Sequence, residues 1–209
     1  MNPMFYFLLA LAAVLAATAN AGEPVLDTDG NFIFDGSYYV LPAIFGPPGG
    51  GLNLAPRGDD QCPLFVGQEF SKVDRGIPVK FSNWKSRVGF VPESANLNIE
   101  MATKATICVQ STYWWVTAAP SHLSTLFITA GPKPESGEDS SRTFFQIKKN
   151  EGFPNGYNIV FSPNGNDCIN VGIVDEYGVK RLALDDSSFP VMFMKATGTE
   201  TSSKTMPII

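Results

Sequence analysis

The chain has 209 residues, with 15 Lys and Arg against 20 Asp and Glu, one His and a formal net charge of −5. An acidic chain without a basic run argues against nucleic acid as partner, because neutralising phosphates takes clustered cations. One His and three Cys, two of them expected to be oxidised, leave too few soft ligands for a closed tetrahedral zinc shell, and no cofactor motif is present, so no metal or cofactor is expected.

Residues 1–21 carry no charged side chain, run apolar over 4–17 and end Ala19-Asn20-Ala21, the small-x-small pattern of a signal peptidase site. Cleavage is expected after Ala21. The apolar run is somewhat short for a membrane span and no other follows, so no membrane contact is expected once the leader is gone. Residues 22–197 are enough for one well-filled core and read as a single domain, secreted or vacuolar.

The first element after the leader is VLDTDGNFIFDGSYYVL at 25–41, where an acidic Gly turn sits between apolar runs. Gly30 can take positive φ and the Asx side chains around it can bond nearby amides, so a hairpin is expected. Short apolar runs follow between Gly, Pro, Asn and Ser clusters: YYVL at 38–41, LNIEM at 97–101, YWWV at 113–116 and LFIT at 126–129. FFQIK at 144–148, YNIVF at 157–161, NVGIV at 170–174, KRLAL at 180–184 and VMFM at 191–194 continue the rhythm, often with period two. No sustained 3.6-residue stripe follows the leader, and 19 Gly with 16 Pro interrupt any long helix. The chain is therefore all-β, with ten to twelve short strands that periodicity cannot assign to barrel, sandwich or trefoil. The aromatic runs YYVL, YWWV and YNIVF invite comparison as equivalent elements.

The connections are equally legible. FGPPGGG at 45–51 lacks the Gly-Lys-Ser/Thr of a phosphate cradle and reads as a turn-rich loop. Residues 131–142, rich in Pro, Ser and acids, read as an exposed connection, and residues 198–209 as a flexible tail. His122 lies in a Pro/Ser connection and reads as a loop histidine. Asp27-Thr28-Asp29-Gly30 lacks the later bidentate Glu of a calcium loop. The pairs Asp59-Asp60 and Asp185-Asp186 sit in turn-like stretches and read as solvated charge, without an acid/base role. With export, a disulfide is the default for a close pair among Cys62, Cys108 and Cys168, leaving one thiol over.

The order of residues at 25–41 resembles the N-terminal signature of the plant Kunitz (soybean trypsin inhibitor) family. Val25, Asp27, Asp29, Gly30, Asn31, Ile33, Tyr39 and Leu41 carry the match. The resemblance continues through QCPLFV at 61–66, VDRGIPV at 73–79, YNIVFSP at 157–163 and VGIVDEYGVKRLAL at 171–184. It implies a β-trefoil of three four-stranded pseudo-repeats and a protease inhibitor, not an enzyme, with a trypsin-like serine protease as partner. It also leaves open other roles of the family: inhibition of cysteine proteases, subtilisins or amylases, and storage or binding without inhibition. The repeated Gln-x-Trp of many trefoil lectins is absent, since Trp84, Trp114 and Trp115 do not recur at matching places.

The resemblance further implies a bridge between Cys62 and Cys108. The family's second bridge has no counterpart, because its first Cys falls on Ser162; Cys168 is then a lone thiol, either buried in a monomer or joining two copies. A protease-binding loop is implied over Trp84, Lys85, Ser86, Arg87, Val88, Gly89 and Phe90. Counting from Cys62 and Gly76 puts Ser86 at its tip, and counting back from Phe90 puts Arg87 there. Arg87 is taken as the primary specificity residue, with Val88 across the target bond and Lys85 as second candidate. The family's loop-supporting Asn is replaced by Asp35, which can accept hydrogen bonds but has no amide to donate.

Overall fold

A computed structural model of the chain describes residues 22–43, 49–84, 88–103, 106–109, 111–117, 125–135, 138–165 and 167–196, together with Met4. Twelve strands occur among them: β1 (Tyr38–Pro42), β2 (Leu52–Arg57), β3 (Asp60–Gln68), β4 (Val79–Ser82), β5 (Asn98–Met101) and β6 (Tyr113–Val116). The second half supplies β7 (Ile128–Gly131), β8 (Phe145–Lys149), β9 (Tyr157–Phe161), β10 (Ile169–Glu176), β11 (Val179–Leu184) and β12 (Pro190–Lys195). The leader apart from Met4, the tail 198–209, residues 44–48 and His122 lie outside the described residues.

Pairing sorts the strands into two sets. β1 pairs with β4, β4 with β5, β8 with β9, β9 with β12 and β12 with β1, all antiparallel. A bridge between Leu97 and Phe145 joins the start of β5 to β8, which closes a six-stranded barrel. The other six strands form three hairpins, β2–β3, β6–β7 and β10–β11. These meet one another at Phe65↔Thr129, Arg181↔Gly67 and Phe127↔Ala183, capping one end of the barrel as a triangle. The unit of four strands thus occurs three times, which is the β-trefoil.

The barrel interior is filled from the inward face of each strand. Tyr38, Phe81, Phe193 and Tyr157 form a chain of ring contacts with centroids 5.4–6.4 Å apart. Each such pair adds about 0.5–1.5 kcal/mol beyond its buried area. Trp114 meets Phe145 edge-on at 5.6 Å. The triangular cap has its own small core of Phe65, Phe127 and Ala183, one residue from each hairpin region.

The expected hairpin at 25–33 is present: Asp27 Oδ1 accepts from the amides of Asp29 and Asn31, and the arms pair antiparallel through the Asp27 amide to the Asn31 carbonyl, the Leu26↔Phe32 bridge and the Ile33 amide to the Val25 carbonyl. Val25 and Ile33 also bond to Val91. Two other expectations change. YWWV is β6, a cap strand in the same place as β2 and β10, so it is not equivalent to YYVL and YNIVF in β1 and β9. Residues 131–142 are not wholly an exposed connection. Gly131 is buried at the end of β7, and a 3-10 turn spans Glu138–Thr143. There Arg142 donates twice to the Val116 carbonyl, at 2.7 and 2.9 Å.

Cys62 and Cys108 are joined by a disulfide that ties β3 to the connection after β5. It spans 46 positions and stabilises the fold by about 4 kcal/mol on the chain-entropy model.

Candidate functional site

The segment that carries the expected loop leaves the barrel at the end of β4 and rejoins the body at Val91. Its approach is fixed first. Gly76 adopts φ +69° against Leu52, where a Cβ would lie 2.1 Å from the Leu52 carbonyl oxygen, and the Ile77 amide then donates to that carbonyl at 2.7 Å. Only glycine permits this contact, and it delivers the chain in register into β4.

β4 pairs along its length with β5, up to Ser82↔Asn98. The next residue, Asn83, turns the chain with φ +65°, a conformation that Asn tolerates better than most side chains. Its Nδ2 donates to Asn98 Oδ1 at 2.9 Å. Asn98 is 2% exposed, and its own Nδ2 donates to the Thr143 carbonyl and hydroxyl at 3.0 and 2.9 Å. The entry to the loop is thereby tied through β5 to the 3-10 turn. Trp84 is half-buried and packs on the main core, and its Nε1 donates to the Val88 carbonyl at 3.2 Å.

The exit is held as firmly. The Phe90 ring meets Phe32 with centroids 5.8 Å apart, and fully buried Val91 donates to Ile33 and accepts from Val25 at 2.7 and 2.9 Å. Phe32 and Phe34 remain about half exposed beside it, with Lys195 Nζ 5.5 Å from the Phe34 ring centroid. Trp84, Val88, Gly89 and Phe90 are therefore brought together at one place on the barrel. Lys85, Ser86 and Arg87, the expected tip, lie outside the described residues.

Asp35 is exposed in the turn before β1. Its carboxylate accepts from the Gly36 amide at 2.8 Å, and its carbonyl accepts from Tyr38 Oη at 3.3 Å. Burial raises the Tyr38 phenol above its ordinary value, with the charges of Asp27 and Asp35 adding to the effect.

Two further polar clusters went unforeseen. Arg57 Nε donates to both Glu176 carboxylate oxygens at 3.0 Å, and Arg181 Nε donates to the same carboxylate at 2.9 Å. The Arg57 guanidinium also lies 4.6 Å from the Phe127 ring centroid, so the ion cluster roofs the cap core. The Arg57 guanidinium, through its hydrogen bond, holds the Glu176 carboxyl below the usual range. The second cluster surrounds Cys168, whose half-buried thiol lies 3.2 Å from both Lys148 Nζ and Ser162 Oγ. Ser162 itself is fully buried. Among the described residues no group of three or more His, Cys, Asp or Glu side chains is placed to hold a metal ion.

Comparison with known proteins agrees with this architecture. The family model for Kunitz legume trypsin and protease inhibitors matches residues 25–195. "Kunitz trypsin inhibitor 4" of Arabidopsis thaliana is 56% identical over 99% of this chain and 97% of its own. An α-amylase/subtilisin inhibitor of Oryza sativa is 35% identical over 90% of this chain and 92% of its own. The soybean trypsin inhibitor in complex with porcine pancreatic trypsin superimposes with a TM-score of 0.67 at 28% identity, covering 84% of this chain and all of that one. Sequence signature, barrel with three capping hairpins and whole-chain relatives converge: the chain belongs to the Kunitz legume family of protease inhibitors, whose named members include inhibitors of trypsin, subtilisin and α-amylase.

Proposed function

We propose that the protein inhibits trypsin-like serine endopeptidases by offering the Arg87–Val88 bond in a substrate-like loop. The observation that supports this most is the two-sided anchorage of a segment with two cations: β4 and Asn83 hold one end, and Phe90 and Val91 hold the other. Arg87 enters the pocket in which such an enzyme keeps a carboxylate, and the target bond faces the nucleophile and oxyanion hole. A loop ordered beforehand avoids losing about 0.5–1.5 kcal/mol per side chain on docking, so an interface of ordinary size suffices for tight binding. The bond stays largely uncleaved because the held segment cannot move apart as a free peptide does.

The inhibitor is exported after cleavage at Ala21, to the apoplast or vacuole, and acts as a monomer, with Cys168 available for pairing between copies. Intact mass of the native protein tests the cleavage site, and a non-reducing gel tests the pairing.

The functional test is a panel of trypsin, chymotrypsin, subtilisin, papain and α-amylase with wild type, Arg87→Ala and Lys85→Ala. Trypsin alone is expected to be strongly inhibited, with the loss confined to Arg87→Ala. Equal trypsin inhibition by wild type and Arg87→Ala overturns the tip assignment, and trypsin left untouched at saturating protein overturns the target class.

A further inference from the structure

We propose that Asn164 is a site of spontaneous deamidation, its side-chain amide displaced by the Gly165 backbone nitrogen, while the fold protects the matching Asn155-Gly156 pair. The modification is independent of protease inhibition and needs water but no enzyme, metal or oxidant. In the first step the Gly165 nitrogen gives up its proton and attacks Asn164 Cγ; an N–Cγ bond forms, the Cγ–Nδ2 bond breaks, ammonia leaves and a five-membered succinimide remains. One water then opens the ring. Cleavage of the new N–Cγ bond yields aspartate, and cleavage of the original peptide bond yields isoaspartate, whose backbone is longer by one carbon. Either product adds a negative charge to the turn.

The sequence holds two Asn-Gly pairs, 155–156 and 164–165, and glycine is the neighbour that crowds the attack least because it has no Cβ. Their surroundings differ. Asn155 is half-buried and Gly156 buried in the connection from β8 to β9. The Gly156 amide, which would be the nucleophile, donates to the Phe153 carbonyl at 2.9 Å, and the Gly156 carbonyl accepts from the Asn150 amide at 2.9 Å. A Cβ built on Gly156 would lie 2.6 Å from Phe153 Cβ, so the chain is wedged there. To cyclise, this pair must break a hydrogen bond of ordinary length and lift a buried backbone. Asn164 and Gly165, in the connection from β9 to β10, are both exposed. The Gly165 amide reaches the Ser162 carbonyl at 3.4 Å and the Gly165 carbonyl lies 3.5 Å from Gln146 Nε2, both beyond the usual range of about 2.7–3.2 Å. A Cβ built on Gly165 meets nothing within 4 Å. The nitrogen that must attack is therefore weakly held and stands in open space.

The test follows the purified protein during incubation in mildly alkaline buffer, once folded and once unfolded in guanidinium chloride. A chymotryptic map puts the two pairs on different peptides, because Tyr157 and Phe161 lie between them. Mass spectrometry follows the exchange of amide for carboxylate, and an isoaspartate-specific methyltransferase with a labelled methyl donor marks the isoaspartyl product. In the folded protein Asn164 is expected to convert at least about 10-fold faster than Asn155, the ratio produced by a barrier difference of about 1.4 kcal/mol, which one hydrogen bond can supply. In guanidinium the two rates converge, since both pairs then have the same freedom. Asn164→Gln, whose longer side chain would have to close a six-membered ring, is expected to lose most of the methyl label from the folded protein. Equal rates at the two positions in the folded protein, or no conversion at Asn164, overturns the proposal. So does a gap that survives in guanidinium, because flanking sequence and not the fold would then set it, and so does undiminished label in Asn164→Gln.

Discussion

Asn98 joins two things that the chain keeps far apart: through one side chain it accepts from Asn83 at the mouth of the loop and donates to Thr143 in the 3-10 turn. Removing it takes a partner from three polar groups: Asn83 Nδ2 and the carbonyl and hydroxyl of buried Thr143. Asn98→Ala is expected to lower stability by about 2–3 kcal/mol and to weaken trypsin inhibition. Asn83→Gly keeps the φ +65° backbone and loses only the part-buried bond to Asn98 Oδ1. It should therefore cost about 1 kcal/mol in stability, less than Asn98→Ala, while still weakening inhibition. Urea denaturation beside inhibition constants separates the two, and equal stability losses would contradict the role given to Asn98.

Asp35 caps the Gly36 amide through its carboxylate and can donate nothing. Asp35→Asn keeps an oxygen for that cap and adds two N–H donors in the turn before β1. Trypsin inhibition is expected to tighten. An unchanged or weaker constant would remove Asp35 from loop support.

The neighbourhood of Ser162 and Cys168 invites a bridge, because Oγ and Sγ already lie 3.2 Å apart. Ser162→Cys, oxidised in air, should form a disulfide with Cys168. With the partners six positions apart, the gain is about 2 kcal/mol on the loop-entropy model. Peptide mapping without reductant identifies the link. Two free thiols after oxidation would show that the backbone here cannot close it.

Glu176 predicts a pH dependence of stability. Its carboxyl titrates below the usual glutamate range because Arg57 and Arg181 hydrogen-bond the ionised form. A depressed carboxylate contributes stability above its unfolded value of about 4.3 and loses it as pH falls through the lower folded value. Glu176→Gln is therefore expected to cost on the order of 2 kcal/mol at pH 7. The gap to wild type should shrink as the solution is acidified below about pH 4. Thermal melts of both proteins across that window provide the check, and a gap independent of pH would count against the ion cluster.

Local pattern revealed the strands whose apolar runs are uninterrupted. YWWV and YNIVF coincide with β6 and β9, and KRLAL falls within β11. β2 and β3 escaped notice because Pro56 and Pro63 lie inside them and Gly58 and Asp59 fill the turn between them, all of them features of loops. LFIT falls two residues early, since Phe127 makes an isolated bridge to the cap and the regular β7 ladder begins at Ile128. Closure of the barrel left no periodic trace, because it depends on β1 meeting β12 across most of the sequence. The site divides the same way. The loop was placed by resemblance to a family, but its fastenings were not, since Asn83, just after β4, and Asn98, in β5, sit fifteen positions apart. A signal existed at Asn83, a turn-favouring residue directly after a strand.

The seam between β1 and β12 bears on when the molecule becomes competent during synthesis. Five register pairs, from Tyr38↔Lys195 to Pro42↔Val191, join the first of the described strands to the last, and the Thr28 amide reaches the Phe193 carbonyl. A nascent polypeptide still lacking Pro190–Lys195 leaves the outer edge of β1 unpaired until β12 has been made. Such distant pairings form late and slowly. The barrel therefore closes only after its last strand has been synthesised.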